Sequence, residues 1–149
     1  MRLLLDTTVL SRLCYPFREE NRSLVHWFEE ASRADHLVCL PEIADYETRR
    51  GLLHLALRSG RSTTRSLQHL DRLGGLLAYL PLTTSVLRRA AGLWADARFK
   101  GIPTGSSLDA DVILAAQALE IQDAAVITDN LRHLGRFVPS YRWQEAPLS

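Results

Sequence analysis

The sequence predicts an α/β domain on a mainly parallel sheet, and three observations carry that expectation. Short, continuously apolar runs stop abruptly, as in Arg2 to Leu5 before Asp6 and Leu37 to Leu40 before Pro41. Each is followed by a stretch with helical punctuation, and strands apolar at every position are those covered on both faces. The chain has 149 residues, 46% hydrophobic and 23% charged, which suits one ordinary globular domain, so residues 1–149 read as a single unit.

The elements follow in order. Asp6, Thr7 and Thr8 open a helix behind the first strand, because short polar side chains cap the free N–H groups of a first turn. Pro41 closes the second run, a helix extends from Glu42 to Arg58, and Gly60 stands where a left-handed C-terminal residue is needed. A further helix is expected from Ser62 to Leu73, broken by Gly74-Gly75, with a strand from Leu76 to Leu80 behind it. Thr83 or Thr84 caps a helix whose apolar stripe is Leu87, Ala90, Ala91, Trp94 and Ala97, stopping at Lys100-Gly101. Ser106 or Ser107 opens the next, with Val112, Ala115, Ala116 and Leu119 facing inward. Ala124 to Thr128 is a strand ending in the turn Asp129-Asn130, and a last strand is expected around Tyr141 to Trp143. The three tryptophans are assigned to the core.

Several classes of protein are disfavoured. Cys14 and Cys39 have no disulfide-scaffold or zinc spacing and read as buried free thiols. Asp6 and Arg12 interrupt the opening apolar stretch, so no export signal is expected. The longest uncharged segment, Leu73 to Leu87, is too short to span a bilayer, and the expected location is the cytoplasm. The net charge of +1 is uninformative, but its distribution is uneven. Between Arg49 and Arg72 six arginines face a single acid, Asp71, whereas Gly101 to Leu131 holds five acids and no lysine or arginine.

Ligands of parallel sheets bind beyond the carboxyl ends of the strands, which gives weight to Asp6 and Asp129. Both also suit bland roles, as helix cap and turn residue. Glu47 is more telling, because it lies one helical turn from both Ile43 and Gly51 on an apolar face. A carboxylate there needs an arginine such as Arg50, a metal or a pocket. Asp109 and Asp111 occupy a first helical turn, where acids favour the dipole, and their side chains diverge by about 200°. If these acids converge, only a cation relieves their repulsion, and an all-oxygen set suits Mg²⁺ or Mn²⁺ in phosphoryl chemistry. The five histidines share no metal-ligand spacing.

These residues resemble the PIN domains, and within them the VapC group of toxin ribonucleases from bacterial toxin and antitoxin pairs. LLLDTTVLSRL is similar to that family's first strand and acid, Asp6, and PEIADYETRRGL to the helix bearing its glutamate, Glu47. LDADVILAAQALE resembles its most distinctive helix and puts Asp111 in the acidic role beside Asp109. VITDNLRHLGRF resembles the closing strand and turn. Two positions depart from the pattern: Thr8 stands where asparagine is common, and His133 where an aspartate is frequent, which leaves the fourth acid to Asp129.

The resemblance implies a three-layer α/β/α sandwich and a metal-dependent endoribonuclease. Asp6, Glu47, Asp111 and Asp129 are its expected catalytic acids, with Asp6, Asp109, Asp111 and Glu47 as candidate ligands of Mg²⁺ or Mn²⁺. Thr7 and Thr128 would orient ligands through their hydroxyls. Arg49, Arg50, Arg58, Arg61 and Arg65 are candidate contacts to the RNA backbone. A cognate antitoxin and a homodimer are the expected partners, with no membrane. The competing expectations are a non-catalytic binding module on the same fold, or an enzyme that phosphorylates Asp6 with help from the only lysine, Lys100.

Overall fold

The computed structural model describes residues 1–102 and 107–148. Its centre is a five-stranded sheet, every pair of neighbouring strands parallel, in the order β3-β2-β1-β4-β5. The strands are β1 (Arg2–Leu5), β2 (Leu37–Pro41), β3 (Ala78–Leu80), β4 (Ala124–Ile127) and β5 (Ser140–Tyr141). The helices are α1 (Thr7–Leu13), α2 (Arg22–Arg33), α3 (Glu42–Ser59), α4 (Thr64–Leu76), α5 (Thr84–Phe99), α6 (Leu108–Leu119) and α7 (Leu131–Leu134).

Alternation along the strands sorts the core into layers. Leu3, Leu5, Val38, Leu40 and Ile127 point into one cluster with Val9 and Leu10 of α1, Leu24, Trp27 and Ala31 of α2, and Leu70 and Leu73 of α4. Leu4, Cys39 and Val126 point the other way, onto Ala110, Leu114, Ala115 and Ala118 of α6 and Leu134 of α7. Outside them, α5 packs on α6 through Val86, Ala90 and Ala97 against Leu108, Val112 and Ala116. Helices on both faces of a parallel sheet make the expected three layers.

The connectivity fixes where a ligand can sit. From β1 the chain builds outward through β2 to β3 on one side, then returns to build β4 and β5 on the other. The crevice at such a reversal opens at the carboxyl ends of β1 and β4, where Asp6 and Thr128 stand.

Four details differ from the sequence reading. α2 was not foreseen, although Leu24, Trp27 and Ala31 are spaced as a buried helical stripe. α4 continues through Gly74 and Gly75 to Leu76, since neither glycine has positive φ and buried Leu70 and Leu73 outweigh their poor helix propensity. On α5, Ala90 and Ala97 are buried as expected, but Val86 completes the stripe and Leu87 and Trp94 are left partly exposed, as Leu119 is on α6. Of the tryptophans, only Trp27 is fully in the core, with Trp143 packed beside it in a short 3-10 turn that follows the two-residue β5. Asp6, Gly60 (φ 69°) and Thr83 do cap their helices as expected. Ser106 lies outside the described residues, and Ser107 bonds Asp111 instead of capping the helix start.

Candidate active site

Asp6 fills both roles that its position allowed. Its Oδ1 accepts the Thr7 N–H at 2.7 Å as the cap of α1, while Oδ2 accepts the hydroxyls of Thr128 (2.6 Å) and Thr8 (3.1 Å). The backbone N–H of Asp6 donates to the Ile127 carbonyl, so the β1–β4 ladder itself carries the carboxylate to the crevice. Thr128 is fully buried, and its Oγ1 also accepts the Asn130 N–H at 2.8 Å. The tight turn after β4 is thereby locked to the acid after β1.

Glu47 reaches the same place from α3. Its Oε1 accepts the Thr7 hydroxyl at 2.7 Å, and Oε2 lies 3.4 Å from Arg50. Burial pushes its carboxyl above the usual range; the negative charges of Asp6 and Asp111 act in the same direction, against the Thr7 hydrogen bond and Arg50. Asp111, in the first turn of α6, is raised for the same reasons, by burial first and by Asp6 next. Its Oδ2 meets the Ser107 hydroxyl at 3.2 Å and His133 Nδ1 at 3.5 Å. Three carboxylates therefore face one crevice, close enough to disfavour one another's charge.

The structure does not bring every candidate there. Asp109 is exposed on the opposite side of α6, lining a groove with Leu87 and Trp94 of α5. The Asp129 backbone N–H donates to Thr8, yet its carboxylate is exposed and paired with Arg12 at 3.3 Å. Arg49 is engaged by Asp45 and Asp71, Arg50 lies over the Tyr46 ring beside Glu47, and Arg58, Arg61 and Arg65 are exposed. Lys100 is exposed and pairs with Asp96 at the end of α5. Sequence reasoning missed the parts played by Thr8, Ser107 and His133. Thr8 and His133 had left a signal, as the two positions that depart from the family pattern.

The donor set fits a hydrated divalent cation. Its charged donors are all oxygens, only Arg50 and His133 sit against them at the edges among the described residues, and hydroxyls hold three of the carboxylate oxygens in place. Among the described residues no group of three His, Cys, Asp or Glu side chains is set to hold a metal ion, so no more than one or two of these carboxylates would bind one ion directly. Mg²⁺ typically takes one or two carboxylates and keeps several waters, so an open arrangement of this kind is what it requires.

The comparisons agree with this architecture. The chain is similar in structure to VapBC-1 from nontypeable Haemophilus influenzae, with TM-score 0.71 and 19% identity over 97% of this chain and 100% of that one. It also resembles VapBC2 from Rickettsia felis bound to a promoter DNA fragment, with TM-score 0.73 and 15% identity over 96% and 99% of the two chains. For DNA-bound VapBC from Salmonella typhimurium the values are 0.68, 23%, 96% and 98%. No curated protein sequence matches. The PIN domain family model matches residues 3–136, and the chain belongs to the PIN domain family.

Proposed function

We propose that this protein is a divalent-metal-dependent endoribonuclease that acts as the toxin of a toxin–antitoxin pair. The observation that carries the reading is the convergence of Asp6, Glu47 and Asp111 at the β1–β4 crevice, where burial and mutual repulsion raise two of the three carboxyls. Family membership and the likeness to toxin–antitoxin complexes support it. These acids would hold Mg²⁺ or Mn²⁺. When bound, such an ion supplies Lewis acidity that activates water and offsets the charge developing on a phosphodiester.

The chain's own residues do the positioning. Thr7 bridges α1 to Glu47, donating its hydroxyl there and its N–H to Asp6, so the two carboxylates are fixed relative to each other. Thr128 and Thr8 hold Asp6 from the other side. Exposed Arg58, Arg61 and Arg65 offer contacts to an RNA backbone. A second protein surface lies on α3, where Leu53 and Leu57 are exposed, Leu57 by 86%. An antitoxin helix would cover it, and the protein itself would pair as a homodimer.

The decisive experiment is Asp6→Asn, which keeps the shape and removes one charge. Cleavage of a structured RNA with Mg²⁺ or Mn²⁺ should fall at least about 100-fold, the scale on which loss of one electrostatic group at a reaction centre acts. The far-ultraviolet circular dichroism should not change. Full activity in a folded Asp6→Asn protein removes the assignment. Co-expression with the neighbouring reading frame, followed by scattering, tests the antitoxin and the dimer.

A further inference from the structure

We propose that the cavity between the end of α1 and the start of α4 is a base-stacking subsite, which takes an unpaired nucleobase of the RNA strand on the ring of Phe17 and the flanking phosphates on Arg18 and Arg65. The inference rests on the ribonuclease reading above and deepens it. It says which RNA suits the crevice: a strand unpaired beside the bond to be cleaved.

The cavity measures about 250 Å³ and is built from the loop after α1 and the first two turns of α4. Phe17 on that loop is 85% exposed, although phenylalanine is among the side chains that gain most from burial. Its only ring contact among the described residues is a T-shaped one with His69, centroids 6.0 Å apart and planes at 62°. A face of the ring stays open. Beside it the Arg18 guanidinium packs on the Tyr15 ring, 3.9 Å from the centroid, and both residues line the same cavity.

Charge selects the occupant. The basic side chains of the lining are Arg18, Arg65 and His69, and no acid is among them. Arg18 is engaged only by the Tyr15 ring and Arg65 by no side chain among the described residues, whereas Arg12, Arg22 and Arg49 are each paired with an acid. The neighbouring acids Glu19 and Glu20 lie outside the lining, and Glu19 is held by Arg22 at 3.1 Å. Two guanidinium groups without a counter-ion around a bare aromatic ring match a nucleotide, which brings a phosphate for the charge and a π face for the ring. An apolar helix would leave both cations unpaired.

The platform is rigid and stands on the rim of the crevice. Asn21, only 3% exposed, donates its amide to the Tyr15 and Arg12 carbonyls at 3.0 and 3.1 Å and accepts the Arg12 Nε–H at 3.0 Å. A loop fixed in this way costs little ordering when a ligand arrives. The same Arg12 reaches Asp129 beside the site. The seven residues of α1 span roughly 10 Å. Thr7 at its start holds Glu47 of α3, and the charges of Asp45 and Arg49, also on α3, bear on Cys14 at its end. The helix thus follows the start of α3 along the carboxyl-end rim, and the cavity lies a few nucleotides from the acids on their own side of the sheet.

The test separates binding from cleavage. In metal-free buffer the full-length protein is titrated with a short fluorescent oligo(U) strand and with the same strand in a duplex with oligo(A), and anisotropy gives both affinities. The wild type should prefer the single strand. Phe17→Leu keeps an apolar side chain but removes the π face, and should weaken single-strand binding about 5- to 100-fold, the scale of one stacked base. Phe17→Tyr should restore it. Arg18→Ala combined with Arg65→Ala should flatten the slope of log affinity against log salt by roughly 1 to 1.5, as expected for two lost phosphate contacts. Phe99→Leu, at an equally exposed phenylalanine ending α5, should change neither quantity. With Mn²⁺ present, Phe17→Leu should raise KM for an unpaired substrate and leave kcat near the wild-type value. If Phe17→Leu binds the single strand as the wild type does, or the wild type binds the duplex equally well, the stacking subsite is overturned, and cleavage of RNA by that same wild type keeps the nuclease reading. A wild type that neither binds oligo(U) nor cleaves RNA overturns both.

Discussion

Thr128→Val is the sharpest probe of how the site is held together. The substitution preserves shape and replaces one hydroxyl by a methyl at a fully buried position. Two interactions disappear: the 2.6 Å bond donated to Asp6 and the 2.8 Å bond accepted from the Asn130 N–H. A hydrogen bond to a charged group contributes about 1.5–3 kcal/mol, and an orphaned N–H costs about 1 kcal/mol or more. The expected loss is therefore about 2.5–4 kcal/mol. For a domain of this size that lowers Tm by roughly 5–16 °C. Thr128→Ser is the control, since it keeps the hydroxyl and should lose only about 1 kcal/mol for the methyl. Urea unfolding of both variants without divalent ions gives the comparison. Mn²⁺ affinity should also fall in the valine variant, by about 10- to 100-fold, because Asp6 is no longer oriented. A valine variant within about 0.5 kcal/mol of wild type, the range of unremarkable surface changes, would refute the idea that this hydroxyl locks β4 to the acid.

Three further outcomes are expected. Glu47 has a raised carboxyl in the folded protein, so its ionised form opposes folding: stability falls as pH climbs from the ordinary carboxylate range through the raised value and stays lower above it. Glu47→Gln should accordingly be more stable than wild type near pH 8 in metal-free urea unfolding, and the gain should shrink toward about pH 4, where both proteins are neutral at this position. Asp129→Asn breaks only a half-exposed pair with Arg12; it should cost at most about 1 kcal/mol and reduce RNA cleavage far less than Asp6→Asn, measured on the same substrate. Gly75→Ala, inside α4 with nothing within 4 Å of the added Cβ, should raise thermal stability by about 0.5–1 kcal/mol.

What the sequence disclosed depended on how local the determinant was. β1 was legible to the residue because Leu3, Leu4 and Leu5 are buried on both faces and Asp6 ends the run with a cap. Gly60 was legible because a left-handed residue after a helix is a local requirement. The glycine pair in α4 misled for the opposite reason: its propensity says stop, while Leu70 and Leu73 are held by strands and helices far away in sequence. The α5 stripe was read correctly at Ala90 and Ala97, but Val86 takes the place given to Leu87, Ala91 and Trp94. With Leu87 and Trp94 apolar on one side and Val86, Ala90 and Ala97 on the other, only packing against α6 decides which face is inward.

The acids show the same division. Glu47 was recognisable from its place on an apolar helix face, and Asp111 from the motif around it. Asp109 and Asp129 could not be separated from them by spacing, because what removes them is tertiary: α6 turns Asp109 toward α5, and Arg12 captures the Asp129 carboxylate. That capture has a functional implication. Arg12 also donates to the Asn21 side chain and the Glu20 carbonyl, so the partner of Asp129 is anchored by two further acceptors. A crevice that keeps its nearest extra acid neutralised while leaving Asp6, Glu47 and Asp111 to repel one another concentrates negative potential on a few oxygens at the β1–β4 reversal. On the proposed reading a cation arriving there would stabilise the protein by mass action, about 2.7 kcal/mol at a hundredfold excess over Kd. The stability gained on adding Mg²⁺ or Mn²⁺ should therefore shrink in Asp111→Asn and Asp6→Asn and persist in Asp129→Asn; an equal gain in all three would place the ion elsewhere.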